Sequence, residues 1–340
     1  MKALVTGGGG FLGGAIVRLL IGRGDEVRSF SRDRYPQLES LGARCFRGDL
    51  SDAEAVAAAV EGVDVVFHVA AKAGVWGRYE SYYQANVRGT EHVIAACRRH
   101  DVGRLVYTST PSVVFHHEGM EGANESVPYA KRHLNSYSAT KALAEKKVLE
   151  ADDDGLSTVA LRPHLIWGPG DNHLIPRLVA RAKAGKLALV GTGMGKVDSV
   201  YVENAARAHL LAADRLAPRT SVAGKVYFIS NDEPIPIAQL INRILEAAGL
   251  PPVTRRVPPS IAYAAGWILE VVYRVFGLSG EPPMTRFVAR QLATPHWFDL
   301  SAAKRDLGYQ PSISIDEGMR RLAESFTEPA AEGTVHAAER

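Results

Sequence analysis

The feature that most constrains the fold is the start of the chain, where a short apolar strand pattern runs directly into a glycine-rich loop and a helical pattern. The stretch is "KALVTGGGGFLGGAIVRLL" (2–20), in which Gly7, Gly10 and Gly13 fit G-x-x-G-x-x-G. Gly8 offers the alternative G-x-G-x-x-G with the same last two glycines. Such glycines permit a tight turn, a bare backbone against a pyrophosphate and close packing of the helix on the strand. The stretch therefore predicts a dinucleotide-binding unit.

The first two-thirds of the chain alternates β-branched strand patterns with amphipathic helical patterns. This alternation predicts a Rossmann-type, doubly wound α/β fold with a parallel sheet covered on both faces. The predicted strands are "KALVTG", "EVRSFS", "ARCFRGD", "DVVFHVA", "RLVYTST" and "STVALRP", and the predicted helices span 11–23, 52–61, 84–100 and 137–151. Two later patterns, "LALVG" (187–191) and "KVYFISN" (225–231), are expected to return to the same sheet.

The remaining sequence is richer in proline and in helical patterns, which suggests a smaller, mostly helical C-terminal substrate domain. We predict a discontinuous NADP-binding Rossmann domain over 1–164 and 187–231. The substrate domain is predicted over 165–186 and 232–325, followed by a mobile tail over 326–340 that has little to bury.

The composition indicates which binding partners and which cellular location to expect. The 340 residues are 46% hydrophobic with a net charge of +3 and no run of lysine or arginine, which argues against a nucleic-acid partner. Cys45 and Cys97 lack metal-ligand spacing, so we expect two reduced core thiols, no metal site and a cytoplasmic location. The N-terminus is too glycine-rich for a signal peptide.

One apolar stretch stands out, "SIAYAAGWILEVVYRVFGL" (260–278). Glu270 and Arg274 interrupt it, and it is short for a membrane span. We expect a buried amphipathic helix. The alternatives are a helix that makes peripheral contact with a membrane surface or one that lines a lipid-accepting pocket.

The end of the second strand pattern indicates the cofactor. An acidic residue about twenty positions past the glycine loop would bind the ribose hydroxyls of NAD. The sequence there is "FSRDR" (30–34), with Ser31 at the expected acidic position and Arg32 next to it. A hydroxyl and a guanidinium suit a 2′-phosphate, so NADP(H) is favoured. NAD(H) stays possible through Asp33, with Arg32 then only a solvated surface charge.

A tyrosine and a lysine form the candidate catalytic pair. "YSATK" (137–141) opens a helical pattern, so Tyr137 and Lys141 lie on one face, where the ammonium is expected to lower the pKa of the phenol. The spacing also arises by chance between exposed residues. However, no other of the twelve tyrosines has it, and it follows the strand that ends in hydroxyls at Thr108, Ser109 and Thr110.

Histidine and tryptophan give weaker candidates. His116, His117 and His164 have no metal-ligand spacing, and a packing role is expected for His164 over substrate contact. Trp76 and Trp167 are candidates for a lipophilic pocket or for the core.

The motifs together resemble the extended short-chain dehydrogenase/reductase superfamily. They are "TGGGGFLG", "GDL" (48–50), "HVAA" (68–71), "VYTST" and "YSATK". "LRPHLIWGPGD", "VDSVYVENAARAHLLA" and "PHWFDLSAAKRDLGY" are similar to its 3β-hydroxysteroid dehydrogenase branch. That branch includes sterol-4-carboxylate 3-dehydrogenases and bacterial 2-alkyl-3-oxoalkanoate reductases.

The resemblance implies a role for each matching position. Tyr137 is the implied acid/base, Lys141 binds the nicotinamide ribose, and Thr110 replaces the usual serine, with Ser109 as a competitor. The residues implied to bind the cofactor are Gly7, Gly10, Phe11, Leu12, Gly13, Ser31, Arg32, Asp49, Leu50, Ala70, Ala71, Tyr137, Lys141 and Pro163.

The resemblance implies an NAD(P)-dependent oxidoreductase that interconverts a ketone and a secondary alcohol on a bulky hydrophobic substrate. Because NADP favours reduction, we expect a 2-alkyl-3-oxoalkanoate to be reduced to the 3-hydroxy acid. The alternatives are a 3β-hydroxysteroid or sterol-4-carboxylate 3-dehydrogenase, a nucleotide-sugar epimerase and a non-catalytic NADP-sensing regulator. A homodimer is a further partner hypothesis.

Overall fold

The computed structural model describes residues 1–116 and 118–327. The described strands are β1 (Lys2–Thr6), β2 (Glu26–Ser31), β3 (Arg44–Arg47), β4 (Val65–His68), β5 (Arg104–Thr108), β6 (Met120–Ala123), β7 (Ser157–Pro163), β8 (Ile166–Trp167), β9 (Leu189–Val190), β10 (Lys196–Val197), β11 (Val200–Tyr201), β12 (Lys225–Ile229), β13 (Ile235–Pro236), β14 (Arg256–Val257) and β15 (His296–Phe298).

The described α-helices are α1 (Phe11–Gly22), α2 (Pro36–Ser40), α3 (Ala53–Val60), α4 (Tyr79–Tyr82), α5 (Gly89–Arg99), α6 (Ser136–Glu150), α7 (Leu174–Lys183), α8 (Val202–Arg215), α9 (Ile237–Ala247), α10 (Pro259–Val275), α11 (Arg286–Ala293) and α12 (Ile315–Thr327). Two π-helical segments and a 3₁₀ turn complete the elements, and they span Tyr83–Arg88, Ala303–Leu307 and Pro111–Val113.

The central sheet has seven parallel strands in the order β12-β7-β5-β4-β1-β2-β3. Helices α1 and α8 pack together on one face, while α3, α5 and α6 cover the other. Every residue of β4 and β7 is buried, as expected for parallel strands covered on both sides. This arrangement confirms the Rossmann-type fold class. The strand order reverses between β1 and β4, which opens a crevice at the carboxyl ends of the strands.

Of the two later strand patterns, one joins the central sheet and the other does not. β12 extends the sheet beside β7, with Lys225 opposite Val159. The prediction for 187–191 was wrong, because β9 pairs with β14 in a separate two-stranded sheet. The backbone N–H groups of Leu189 and Gly191 donate to the carbonyls of Arg255 and Val257, at 2.9 Å in each case. The remaining strands form a four-stranded sheet, β13-β10-β15-β6, and a two-stranded sheet, β11-β8.

Helix α10 is not the buried helix that the sequence suggested. Its buried residues are only Ala262, Gly266 and Glu270, which form one narrow stripe against α11. Glu270 is paired with Arg286 at 2.7 Å. Seven large apolar residues of the helix and the loop after it are exposed, and they are Ile261, Trp267, Ile268, Val271, Val275, Phe276 and Leu278. We call these seven residues the α10 apolar face. None of the described helices is long and apolar enough to cross a membrane.

The predicted C-terminal tail and the two predicted core thiols differ in part from the structure. Helix α12 continues to Thr327, so the first two residues of the predicted tail are helical, and 328–340 lie outside the described residues, as does His117. Cys97 is buried, Cys45 is half-buried, and both are free thiols.

A buried ion pair fixes α6 to the central sheet. Arg162 of β7 donates to both carboxylate oxygens of Glu145 on α6, at 2.9 and 2.6 Å. The Tyr129 hydroxyl donates to the same carboxylate at 2.7 Å. The Glu145 side chain is completely buried, so its charge depends on these donors. The pair therefore sets where the first turns of α6, which begin at Ser136, lie against the sheet.

Removing one member of this pair should destabilise the protein strongly. Arg162→Met leaves the Glu145 carboxylate buried without its main partner and should lower the free energy of unfolding by about 3–5 kcal/mol. The double variant Arg162→Met/Glu145→Leu removes both charges and should regain much of that loss. Urea unfolding followed by circular dichroism measures both. A single variant within about 0.5 kcal/mol of wild type would contradict this role.

Candidate active site

A cavity of about 660 Å³ lies at the carboxyl ends of the central strands. The structure brings every predicted site residue to its wall. They are Gly7, Gly10, Phe11, Leu12, Gly13, Ser31, Arg32, Asp49, Leu50, Ala70, Ala71, Thr110, Tyr137, Lys141 and Pro163. Its size is typical of small-molecule and cofactor sites.

The glycine loop lies between β1 and α1, and it leaves no room for side chains. Gly7 has a φ of +70°, and a Cβ atom there would lie 2.9 Å from the Ala70 Cα. A Cβ on Gly13 would lie 2.1 Å from the Gly7 carbonyl oxygen. Helix α1 begins at Phe11 and has no acidic residue in its first turn, so its free N–H groups present partial positive charge to the cavity. This bare backbone at a helix N-terminus fits the pyrophosphate of a dinucleotide.

A neutral histidine positions the part of the cavity wall that adjoins the glycine loop. His68, at the end of β4, is hydrogen-bonded through Nδ1 to Thr6 at 2.8 Å and through Nε2 to Thr90 at 3.0 Å. Burial lowers the pKa of His68 to about 3, so the ring is uncharged at neutral pH. The Thr6 hydroxyl also accepts from the backbone N–H groups of Val69 and Ala70, at 3.2 Å in each case. These bonds fix the start of the "AAKAG" segment beside the glycine loop.

The end of β2 presents one free cation to the cavity. Arg32 is exposed and makes no ion pair within the described part of the chain, whereas Arg34 is paired with Glu39 at 2.9 Å. The Ser31 hydroxyl accepts from the Gly9 N–H at 3.2 Å, which ties the glycine loop to β2. Hydrogen bonds from Ser51 lower the pKa of Asp49, and Arg32 contributes to the same effect.

The hydroxyls, the phenol and the ammonium meet at the other end of the cavity. Asn135 caps α6 by accepting from the Ser138 N–H at 2.7 Å, which places Tyr137 and Lys141 on its first two turns. The Thr110 hydroxyl accepts from the Ser112 N–H at 3.2 Å and lies close enough to Tyr137 to affect its pKa. Ser109 also lines the cavity, and its buried hydroxyl has no partner among the described residues.

The electrostatics of the pair differ from the sequence expectation. The Lys141 ammonium donates to the Thr108 carbonyl at 2.6 Å and lies 4.0 Å from the centroid of the Tyr107 ring. Burial lowers the pKa of Lys141 to about 7, against an opposing effect of Glu145. Burial raises the pKa of Tyr137 to about 12, although Thr110 opposes the rise. The expected lowering of the phenol's pKa by the ammonium was therefore wrong, because desolvation dominates.

Several residues that line the cavity were not predicted from the sequence. Lys72 and Ala73 follow the Ala70-Ala71 pair, and Gln84 and Ala85 come from the π-helical segment. Lys72 could have been noticed because it comes a few residues after a buried parallel strand, where ligands bind. Asp171 ends the "LRPHLIWGPGD" motif but was not assigned a role. The π-helical segment, Asn172 and His173 gave no comparable signal.

The weaker aromatic candidates lie in the protein core or on the surface. His164 is buried and packs edge-on against His296, with ring centroids 4.9 Å apart, and burial lowers its pKa. Trp167 is buried and donates to the Ser199 hydroxyl at 3.0 Å. Trp76 packs against Tyr273, with ring centroids 6.4 Å apart. None of these three side chains, nor any residue of 260–278, lines the cavity.

Solved structures share this architecture. The chain is similar to the structure of gox2253, with a TM-score of 0.76 and 27% identity over 96% of this chain and 97% of that one. It is also similar to the Thermus thermophilus UDP-glucose 4-epimerase complex with NAD, with a TM-score of 0.73 and 26% identity over 96% and 99% of the two chains. The likeness to NAD complexes supports a nicotinamide cofactor in this cavity.

Three named proteins are more similar to this chain in sequence than the two solved structures are. A 2-alkyl-3-oxoalkanoate reductase of Stenotrophomonas maltophilia is 56% identical over 96% of this chain and 99% of its own length. A protein of the same name from Shewanella oneidensis is 54% identical over 95% and 86% of the two chains. The sterol-4-alpha-carboxylate 3-dehydrogenase (decarboxylating) of Mus musculus is 34% identical over 96% and 91%.

These similarities agree with the chemistry of the cavity, and the protein is an oxidoreductase that acts on CH–OH or C=O groups. The sequence profile of the 3-beta hydroxysteroid dehydrogenase/isomerase family matches residues 4–258. With a match over most of its length, the chain belongs to the 3-beta hydroxysteroid dehydrogenase/isomerase family.

Proposed function

We propose that the protein reduces a 2-alkyl-3-oxoalkanoate to the 3-hydroxy acid with NADPH. The observation that carries this proposal is the placement of the Tyr137 phenol and the Thr110 hydroxyl in the same cavity as the bare glycine loop. The two relatives above 50% identity carry the reductase name, which supports the substrate class. The 34% identical sterol enzyme supports the second candidate, oxidation of a sterol-4-carboxylate.

In the proposed mechanism the chain's own residues orient the ketone and donate a proton. Thr110 and Tyr137 donate hydrogen bonds to the ketone oxygen, and Tyr137 then transfers its proton to that oxygen. When bound, the reduced nicotinamide supplies a hydride to the ketone carbon and is itself oxidised. The raised pKa of Tyr137 keeps the phenol protonated at neutral pH, as a proton donor requires. The Lys141 ammonium, one turn along α6 from Tyr137, would hold the ribose of the nicotinamide.

The substrate wall is proposed to come from the segments 165–186 and 232–325. Leu165, Ile166 and Asp171 already contribute to the cavity from the first of them. The alkyl chains of the substrate would extend out of the cavity along this wall, so the enzyme would accept a bulky hydrophobic substrate.

The proton-donor role predicts the effect of one hydroxyl. Tyr137→Phe should keep the fold and reduce kcat for a 2-alkyl-3-oxo acid by about a hundredfold or more, since it removes the general acid. Initial rates of NADPH oxidation measure this, with 3-oxosteroids and UDP-sugars as comparison substrates. Tyr227→Phe is the matched control, because its hydroxyl donates to Asp306 at 3.1 Å and lies outside the cavity. Turnover near wild type in Tyr137→Phe would exclude the mechanism.

The lowered pKa of Lys141 predicts the pH dependence. The ammonium form exists below the pKa of about 7, so kcat/KM for reduction should be constant at lower pH and fall as pH rises through about 7. The profile of kcat/KM reports the free enzyme. In Lys141→Arg the charge persists at all accessible pH values, so the fall should disappear even if the rate is lower. A wild-type profile that is flat to pH 9 would contradict the assignment.

The free guanidinium of Arg32 predicts the cofactor preference. Arg32→Ala removes the charge-assisted partner of a 2′-phosphate and should raise KM for NADPH about tenfold, or about 1.4 kcal/mol, while KM for NADH hardly changes. Arg34→Ala removes the same charge two positions away, but its guanidinium is already paired with Glu39 and should have little effect. Both cofactors are measured at one ionic strength. A wild type that prefers NADH, with Arg32→Ala neutral, would favour the sterol-type oxidation.

The α10 apolar face is proposed to contact an anionic lipid surface, from which hydrophobic substrates are taken. Trp267 is 53% exposed and Phe276 is 73% exposed, and the exposed Arg255, Arg256 and Arg274 lie on or just before the same helix. The acids of this region, Glu270 and Glu281, are paired with Arg286 and Arg177, so its exposed charge is positive. Apolar residues with flanking basic residues are typical of interfacial helices.

This proposal predicts binding to vesicles. Wild type should co-sediment with phosphatidylglycerol vesicles and much less with phosphatidylcholine vesicles, and Trp267→Asp/Ile268→Asp should abolish the binding with activity on short-chain substrates kept. Leu41→Asp, an exposed leucine elsewhere, should bind as wild type does. If wild type does not co-sediment but dimerises in a way that the double variant prevents, the face is covered by a second copy and the lipid proposal is wrong.

A further inference from the structure

Lys72 is a cation of the cavity that has no role in the mechanism above. It follows Ala71 just beyond the end of β4, and it lines the same cavity as Tyr137. Its ammonium lies 5.3 Å from the centroid of the Tyr82 ring. Tyr82 in turn is close enough to Tyr137 to contribute to the raised pKa of that phenol, although burial contributes more. Lys72 therefore lies toward the end of the cavity that contains the proton donor.

The backbone of Lys72 is fixed to the helix that carries Tyr137. The side chain of Asn86, which is 2% exposed, accepts from the Lys72 N–H at 2.7 Å and donates to the Lys72 carbonyl at 3.1 Å. The same Asn86 amide donates to the Thr140 hydroxyl at 3.1 Å. Thr140 lies between Tyr137 and Lys141 on α6, so one buried side chain joins the Lys72 backbone to the helix that carries the phenol.

The other cations of the cavity are already engaged or distant. Arg32 lies at the opposite end, beside Asp49, and the Lys141 ammonium is buried against the Thr108 carbonyl. The Lys72 side chain is exposed and makes no ion pair with any described residue. Within the described cavity wall, Lys72 is thus the lysine or arginine that is free to bind an anion near Tyr137.

We propose that Lys72 binds the carboxylate of the substrate, which makes the enzyme selective for 3-oxo acids over neutral ketones. This inference rests on the proposed reduction of 3-oxo acids. In such an acid a single carbon separates the carboxylate from the ketone, so a cation that binds the carboxylate in this cavity also holds the ketone within reach of the phenol. Moving a carboxylate from water into the cavity is costly unless a counter-charge is present, and Lys72 supplies that charge. The ammonium acts as a point charge, so it tolerates different 2-alkyl groups.

The test compares an acid with its own methyl ester. Lys72→Met should raise KM for a 2-alkyl-3-oxo acid by about tenfold or more, the scale of one charge-assisted hydrogen bond, and leave kcat much less changed. KM for the corresponding methyl ester and KM for NADPH should stay within about twofold of wild type, which also shows that the variant is folded. Lys72→Arg keeps the charge and should restore most of the affinity for the acid.

A matched control removes a lysine charge elsewhere. Lys2 is exposed at the amino end of β1, on the opposite edge of the sheet, and Lys2→Met should leave all three KM values unchanged. The proposal is overturned if Lys72→Met raises KM for NADPH and not for the acid, because the ammonium then binds the cofactor diphosphate. It is also overturned if the acid and the ester respond equally. A wild type that reduces neither compound would instead refute the proposed function.

Discussion

The common direction of the seven central strands is the constraint on which the site depends. Because all of them run parallel, β1, β2, β4, β5 and β7 end at one edge of the sheet, and the residues after each strand meet there. The glycine loop, Arg32, Ala70, Thr110 and Pro163 are far apart in sequence but line one cavity for this reason. A parallel strand cannot be joined to its neighbour by a short turn, so helices must cross both faces. Those helices bury the sheet and also carry Tyr137 and Lys141.

Burial, more than the proximity of charges, determines the ionisation of the catalytic pair. Desolvation acts in opposite directions on an acid that is neutral when protonated and on one that is charged when protonated. It therefore raises the pKa of Tyr137 and lowers that of Lys141. The pKa of the lysine then lies near neutral pH, while the phenol keeps its proton. Glu145 lies on the same helix and opposes the change at Lys141, so the ion pair that fixes α6 also tunes the site.

The sequence was sufficient for features that depend on local pattern, and insufficient for those that depend on tertiary neighbours. The glycine loop, the six strands β1 to β5 and β7, and the spacing of Tyr137 and Lys141 follow from periodicity and from a motif at the right place. The partner of β9 could not be predicted, because a short apolar strand does not specify which edge it joins. The exposure of α10 was missed because hydrophobicity alone does not show how many neighbours cover a helix. The direction of the Lys141 ammonium depends on the Thr108 carbonyl, which no sequence pattern indicates.

The crowding at Gly13 has a consequence for altering the enzyme by directed evolution. Because any side chain there would collide with the Gly7 carbonyl, substitutions in the loop change the packing of α1 together with cofactor affinity, and the two effects cannot be selected separately. Ala73, Gln84, Ala85, Asn172 and His173 line the same cavity outside the glycine loop. A library intended to change the substrate and keep the cofactor should therefore randomise these five positions and leave 7–13 intact.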